Sequence, residues 1–247
     1  MDDNQSSYRQ IIKSTSLFGG VQFLSILISL IRSKLVAVLL GPTGMGISSL
    51  LNSTILLING FTSFGLDKSA VKNIAMTNAS GDTVKIATEV STLRRLTWFT
   101  GVLGIVLTII LSPWLSKLTF DNTDYTFAFI WLSIRLLFMQ LTNGNLAILQ
   151  GFRKLQLQAK ANLYGSFFGL VFTIPLYYYF GIKSIVPAIF VASLIALLTS
   201  WYFKDKVKIL NVKLTNFEVF VVGKNMVKLG FSLSFISLLS IVSAYIL

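Results

Sequence analysis

The chain has 247 residues, of which 54% are apolar and only 12% charged, with a mean hydropathy of +0.75 and a formal net charge of +12. Soluble domains carry about 25% charged residues, so the composition excludes a water-soluble fold and points to an integral membrane protein. Histidine and cysteine are both absent, which removes imidazole and thiolate metal sites, Ser–His and Cys–His nucleophile pairs and disulfides; no metal, cofactor or catalytic residue is expected, and the chain is read as a non-enzyme.

A bilayer core about 30 Å thick takes roughly 20 apolar residues in a helix rising about 1.5 Å per residue, and charge-free runs set the predicted spans. Residues 1–13 read as a polar tail, and no small-residue cleavage site ends the apolar stretch behind it. Helix one, over about 14–40, is therefore not a signal peptide. Gly41-Pro42-Thr43-Gly44-Met45-Gly46 is a turn signal, after which helix two covers about 46–66. Residues 68–95 read as two helices broken at Gly81-Asp82, the second carrying Val84, Ala87, Val90 and Leu93 at helical spacing. That pattern suits a helix lying on the membrane surface, or one packed on neighbouring helix ends. Helix three covers about 96–116, helix four about 127–151, helix five about 161–182 and helix six about 184–203. The last two are joined at Gly181-Ile182-Lys183-Ser184. Residues 204–228 form a linker, of which 207–222 are apolar and basic and are expected along the interface. A seventh helix, over 229–247, ends inside an apolar run and reads as truncated. The predicted fold class is all-α: a six-helix transmembrane lobe over 14–203 plus the start of a seventh helix.

Sixteen of the Lys and Arg residues lie in 1–13, 67–95, 152–160 and 204–228, whereas the opposite connections hold only Lys117 and Lys183. The positive-inside rule then puts the N-terminus and the basic segments in the cytoplasm. The same placement argues against nucleic acid as a partner. The basic excess serves topology and contact with anionic membrane lipids.

Three cations fall within the predicted spans, Arg32, Lys34 and Arg135, and no Asp or Glu does. A cation in hydrocarbon costs about 2.5–3.5 kcal/mol and so usually faces a bundle interior or a watery cavity. Arg32 and Arg135 each lie eight residues from the outer end of their helix, Leu40 and Phe127, or about 12 Å. They therefore sit at similar height. Lys34 is nearer the surface and is expected to snorkel to the outer headgroups. Helix one places Gln22, Ser25 and Ser29 on the face of Arg32, helix two carries Ser49, Asn52, Asn59 and Ser63, and helix four sets Thr142, Asn143, Asn145 and Gln150 near Arg135. Polar side chains of this kind also bind helices together in membranes, which accounts for the serines. A hydrated cationic cavity accounts better for two arginines with no membrane carboxylate. Its candidate substrate-binding residues are Arg32, Arg135, Gln22, Ser25, Ser29, Asn52, Asn59, Thr142 and Asn145. Arginine recognises phosphate through a planar fork of donors, so an anionic substrate is expected.

The run Ile31-Arg32-Ser33-Lys34-Leu35-Val36-Ala37-Val38-Leu39-Leu40-Gly41-Pro42-Thr43-Gly44-Met45-Gly46, with Ser49-Leu50-Leu51 behind it, resembles the first-helix signature of polysaccharide flippases. So do Phe64-Gly65-Leu66, Ala70, Ile74-Ala75 and the Gln150-Gly151-Phe152-Arg153 that closes helix four. These flippases are the O-antigen and lipid-linked oligosaccharide translocases of the multidrug/oligosaccharidyl-lipid/polysaccharide exporter superfamily. The resemblance implies transport of undecaprenyl-pyrophosphate-linked sugar units across the bacterial inner membrane by two six-helix lobes around a central cavity. In the related lipid II flippases an arginine matching Arg32 lines that cavity, and their neighbouring aspartate is Ser33 here. The chain would then be one N-terminal lobe of a two-lobe transporter, with the lipid-linked glycan, membrane lipids and polysaccharide polymerase components as partners.

The alternatives are a multidrug/cation antiporter of the same superfamily, which normally needs a membrane carboxylate, and a non-transporting membrane component of envelope polysaccharide assembly, which has no need of intramembrane arginines. An integral glycosyltransferase is weaker still, because Asp121 and Asp124 are the only outward acids. The topology is checked by single cysteines, for which the chain provides no background. A cysteine within 204–228 is expected to be shielded from an impermeant thiol reagent in intact cells, and one at Asn122 to react; the reverse pattern contradicts the orientation.

Overall fold

Two apolar stretches of this chain are too long for one crossing, and the way each is broken shapes the bundle. A computed structural model describes residues 2–210, 212 and 214–246, with side chains for 19–21, 23–210, 212, 214–215 and 217–234. Every regular element among these residues is helical: α1 (Asp2–Thr62), α2 (Leu66–Ser80), α3 (Thr83–Phe120), α4 (Thr126–Gly151), α5 (Leu155–Phe180), α6 (Ile185–Lys204) and α7 (Asn216–Ile246), with a 3₁₀ turn at Gly181–Ser184 between α5 and α6. Four stretches are long and apolar enough to cross a membrane: Gly19–Thr62, Thr83–Phe120, Thr126–Gly151 and Leu155–Lys204. The protein is an all-helical membrane protein.

Gly19–Thr62 has 44 residues and would extend about 66 Å if straight, twice the bilayer core. It is broken at Gly41, whose φ of 67° and ψ of −175° suit only a residue without Cβ. Pro42 drives the preceding ψ into the extended region, and its fixed φ and missing N–H fit the first position of the next helical arm. The arms fold back on each other. Arg32 shares a small cleft with Asn162 and Gly169 of mid-α5, Gly44 packs toward Ile182 just beyond the end of α5, and Asn52 returns to Arg135 in α4. The expected six-residue turn is thus concentrated in one glycine. Helix also continues back to Asp2 where a polar tail was expected.

One core cluster lies toward the Gly41 end, where Leu40, Leu51 and Ile55 of α1 meet Phe129, Leu132 and Leu136 of α4 and Ile185 and Ile189 of α6. Behind α4, α3 presents Thr97, Gly101, Gly104, Thr108 and Ser112 at helical spacing, all buried. Small residues allow close helix approach in lipid, and Leu136 and Leu137 of α4 fill the notches over Gly104 and Gly101. The buried hydroxyls bond their own helix, as Thr108 Oγ1 does to the Gly104 carbonyl at 2.7 Å.

A second cluster closes the opposite end. Leu66, Ala70 and Ile74 of α2, Ile86, Val90 and Leu93 of α3, Ala147 and Ile148 of α4 and Met226 of α7 pack together. The apolar stripe of 84–96 therefore covers helix ends and does not lie on the membrane surface, with only Val84 left exposed. Asp82 starts α3, its carboxylate accepting from the Lys85 backbone N–H at 3.0 Å, a bond that holds its pKa below the ordinary value. No helix breaker follows it, so α3 runs on into the apolar span, starting at Thr83 where the span alone is expected from 96. Likewise α5 begins at Leu155, before the expected 161. The seventh helix begins at Asn216, not 229, and takes in the last part, 216–222, of the stretch expected along the interface. Its start is a capping box. Glu218 Oε2 accepts from the Thr215 N–H at 2.8 Å, and the Glu218 N–H donates to Thr215 Oγ1 at 3.3 Å.

No atom lies within 4 Å of a Cβ added at Gly41, so its requirement is purely conformational. Gly41→Ala is expected to destabilise by about 1–3 kcal/mol, the usual cost of a forbidden backbone region. Gly46→Ala, in the helical arm with equally open surroundings, is expected to be neutral or stabilising by up to about 1 kcal/mol. Thermal unfolding in detergent compares the two.

Candidate functional site

Arg135 lies on the α4 face that looks toward the returning arm of α1. Its Nη1 donates to Asn52 Oδ1, and Asn52 is itself oriented by donating Nδ2 to the Ser48 carbonyl at 2.7 Å. The Arg135 Nε is buried without a hydrogen-bond partner, and so is the Thr142 hydroxyl two turns further along α4. Arg32, on the first arm, faces the same space, as does Tyr177 near the end of α5. These groups surround a cavity of about 480 Å³ closed on the α6 side by Ile189, Ala192 and Ser193. Its lining contains two guanidinium groups and no Asp or Glu. Two like charges in a low-dielectric setting repel, and an anion between them relieves the repulsion while satisfying the open donors.

The predicted site residues divide. Arg32, Asn52, Arg135 and Thr142 line the cavity together. Asn59, seven residues further along the second arm, instead accepts from Gln140 Nε2 at 3.0 Å and ties α1 to α4. Asn145 donates to Ser200 Oγ at 3.1 Å and ties α4 to α6. Ser25 returns its hydroxyl to the Val21 carbonyl at 3.0 Å, Ser29 is exposed, and neither lines the cavity. The side chain of Gln22 lies outside the described residues. Lys34 is exposed and takes no part in the lining. Tyr177 and Ser193 line the cavity without having been singled out. Of three consecutive tyrosines only Tyr177 is buried, at 3% exposure against 70% and 75% for Tyr178 and Tyr179, and nothing in such a run marks one member. Ser33, next to Arg32, also lines the cavity and adds no charge to this wall.

An all-helical membrane bundle enclosing a carboxylate-free cationic cavity is the class of protein these features define. The chain belongs to the polysaccharide biosynthesis protein family, whose profile matches residues 35–246. Neither the curated proteins nor the solved structures include a match to it.

Thr142→Val removes a buried hydroxyl that has no partner. The exchange is expected to leave stability unchanged or raise it by about 1–2 kcal/mol while weakening the binding of inorganic pyrophosphate. Thermal unfolding with and without pyrophosphate reads both effects, and a destabilised variant with unchanged binding contradicts the assignment.

Proposed function

We propose that this protein translocates polyprenyl-pyrophosphate-linked oligosaccharide, of the O-antigen or capsular type, across the bacterial inner membrane, and that it is a transporter, not an enzyme. The observation that carries the reading is the pair Arg32 and Arg135 around one cavity whose lining holds no acid. A pyrophosphate offers several acceptor oxygens and about two negative charges, which two guanidinium forks match in number and geometry. Membership of a polysaccharide biosynthesis family supplies the class of compound to which such a headgroup belongs. On this reading the breaks at Gly41 and at Gly181–Ser184 divide the two long stretches into hairpins, giving six crossings. The basic asymmetry puts the Gly151 end of α4 and the N-terminus in the cytoplasm. A cation antiporter is disfavoured, since the cavity has no carboxylate to hold a proton or a cationic substrate.

In cells that depend on this protein for surface glycan, Arg32→Gln and Arg135→Gln are expected to insert normally yet lower surface glycan about tenfold or more, because a charged hydrogen bond is worth about 1.5–3 kcal/mol. Lys34→Gln is expected to be mild, and Arg32→Lys to restore part of the activity, a point charge lacking the bidentate fork. Normal glycan from both arginine-to-glutamine variants makes the arginines structural and overturns the reading.

A further inference from the structure

Beyond the arginine cavity, toward the Gly151 end of α4, lies a second one of about 390 Å³ between α2, α4 and the first turns of α5. Its chemistry differs. Asn143, Gln150 and Gln158 contribute three amides, Asp67 a carboxylate and Lys68 an ammonium, over an apolar wall that includes Leu146. The opposite charges of Asp67 and Lys68 leave the lining without net charge, so it offers no attraction to phosphate, and a single carboxylate does not make a metal site. Amides donate and accept within one planar group and a carboxylate accepts at two oxygens, which is the complement of adjacent hydroxyls. The volume falls in the range of about 300–1,000 Å³ typical of small-molecule sites.

The two cavities are neighbours along α4, since Asn143 lines both. Along α4, Arg135 and Gln150 are fifteen residues apart, about 22 Å of helix. A ligand anchored by its anionic group at the arginines and extended along α4 therefore places uncharged, hydroxyl-rich units against the amides.

We infer that this second cavity binds the neutral sugar portion of the same lipid-linked glycan whose pyrophosphate lies between Arg32 and Arg135. The inference rests on the translocase reading. The glycan would thus follow α2, α4 and α5 and leave free Ser25 and Ser29 of the first α1 arm, which line neither cavity.

The test uses the full chain in lipid nanodiscs and two kinds of probe: bare undecaprenyl pyrophosphate, and the same carrier bearing a trisaccharide of glucose, galactose or N-acetylglucosamine. The native protein is expected to bind at least one glycosylated carrier about tenfold more tightly than the bare one, the worth of roughly two neutral hydrogen bonds. Gln150→Ala combined with Gln158→Ala is expected to abolish that preference while binding bare carrier as before, which also shows that the double variant is folded. Asp67→Asn is expected to reduce the preference without touching bare-carrier binding. The two readings fail separately. Bare-carrier binding indifferent to Arg135→Gln overturns the pyrophosphate site. A native protein with no preference for any glycosylated carrier, or a preference that survives the double substitution, overturns the sugar site.

Discussion

Two guanidinium groups held inside an apolar bundle with no carboxylate beside them set the terms for the rest of this molecule. Such a pair is tolerated in a membrane only where backbone and amide dipoles replace water and where space remains for a counter-charge. The fold supplies both. Gly41 turns α1 back on itself so that Arg32 and Asn52, twenty residues apart in sequence, reach the depth of Arg135. Asn52 then solvates the Arg135 guanidinium, and Tyr177 shares the cavity wall with Arg32. Neither Asn52 nor Tyr177 is charged, so the cavity keeps its positive potential instead of cancelling it with an internal ion pair.

Packing around the cavity is arranged to leave it open. Where helices meet away from the cavity, the chain uses small residues and self-bonded hydroxyls, as with Gly101 and Gly104 of α3 against Leu137 and Leu136. These contacts ask nothing of the neighbouring helix in hydrogen bonds. Around the arginines the lining changes to Ser, Asn, Thr and Met, groups that accept several arrangements of water or ligand. At the Gly151 end the second core cluster locks α2, α3, α4 and α7 together, and Val71 and Ala147 at that end also line the amide cavity.

Much of this was legible in the sequence, and the failures have two causes. Charge-free runs locate α4 and α6 to within a residue or so, because a bilayer imposes a length on them. The Gly-Pro pair marks the α1 break, and the absence of membrane acids singles out Arg32 and Arg135. Periodicity, however, reports that a face exists without saying what covers it. Val90 and Leu93 suit a membrane surface as well as a helix end, and burial beneath Met226 and Ile148 decides for the latter. Asn59 and Asn52 look alike on the second arm, yet one meets Gln140 and the other Arg135. The start of α7 was written in Thr215 and Glu218, a capping signal that is hidden when apolar content alone is used to find helices.

The division between amide ties and open donors also bears on how a membrane protein can hold a polar tract without collapsing it. Gln140–Asn59 and Asn145–Ser200 are closed pairs, in which each donor has met its acceptor. They fix α4 to α1 and α6 on either side of the cavity. Between them, the Arg135 Nε and the Thr142 hydroxyl stay unmatched. Leaving a buried donor unmatched costs about 1–3 kcal/mol, a penalty that closure of the helices would ordinarily remove. Here the closed pairs hold the helices at the separation that keeps those donors open. The polar groups of α4 thus fall into two roles by position: the Gln140 and Asn145 amides, paired with other side chains, set the frame, and the groups left unmatched, the Arg135 Nε and the Thr142 hydroxyl, belong to residues that line the cavity.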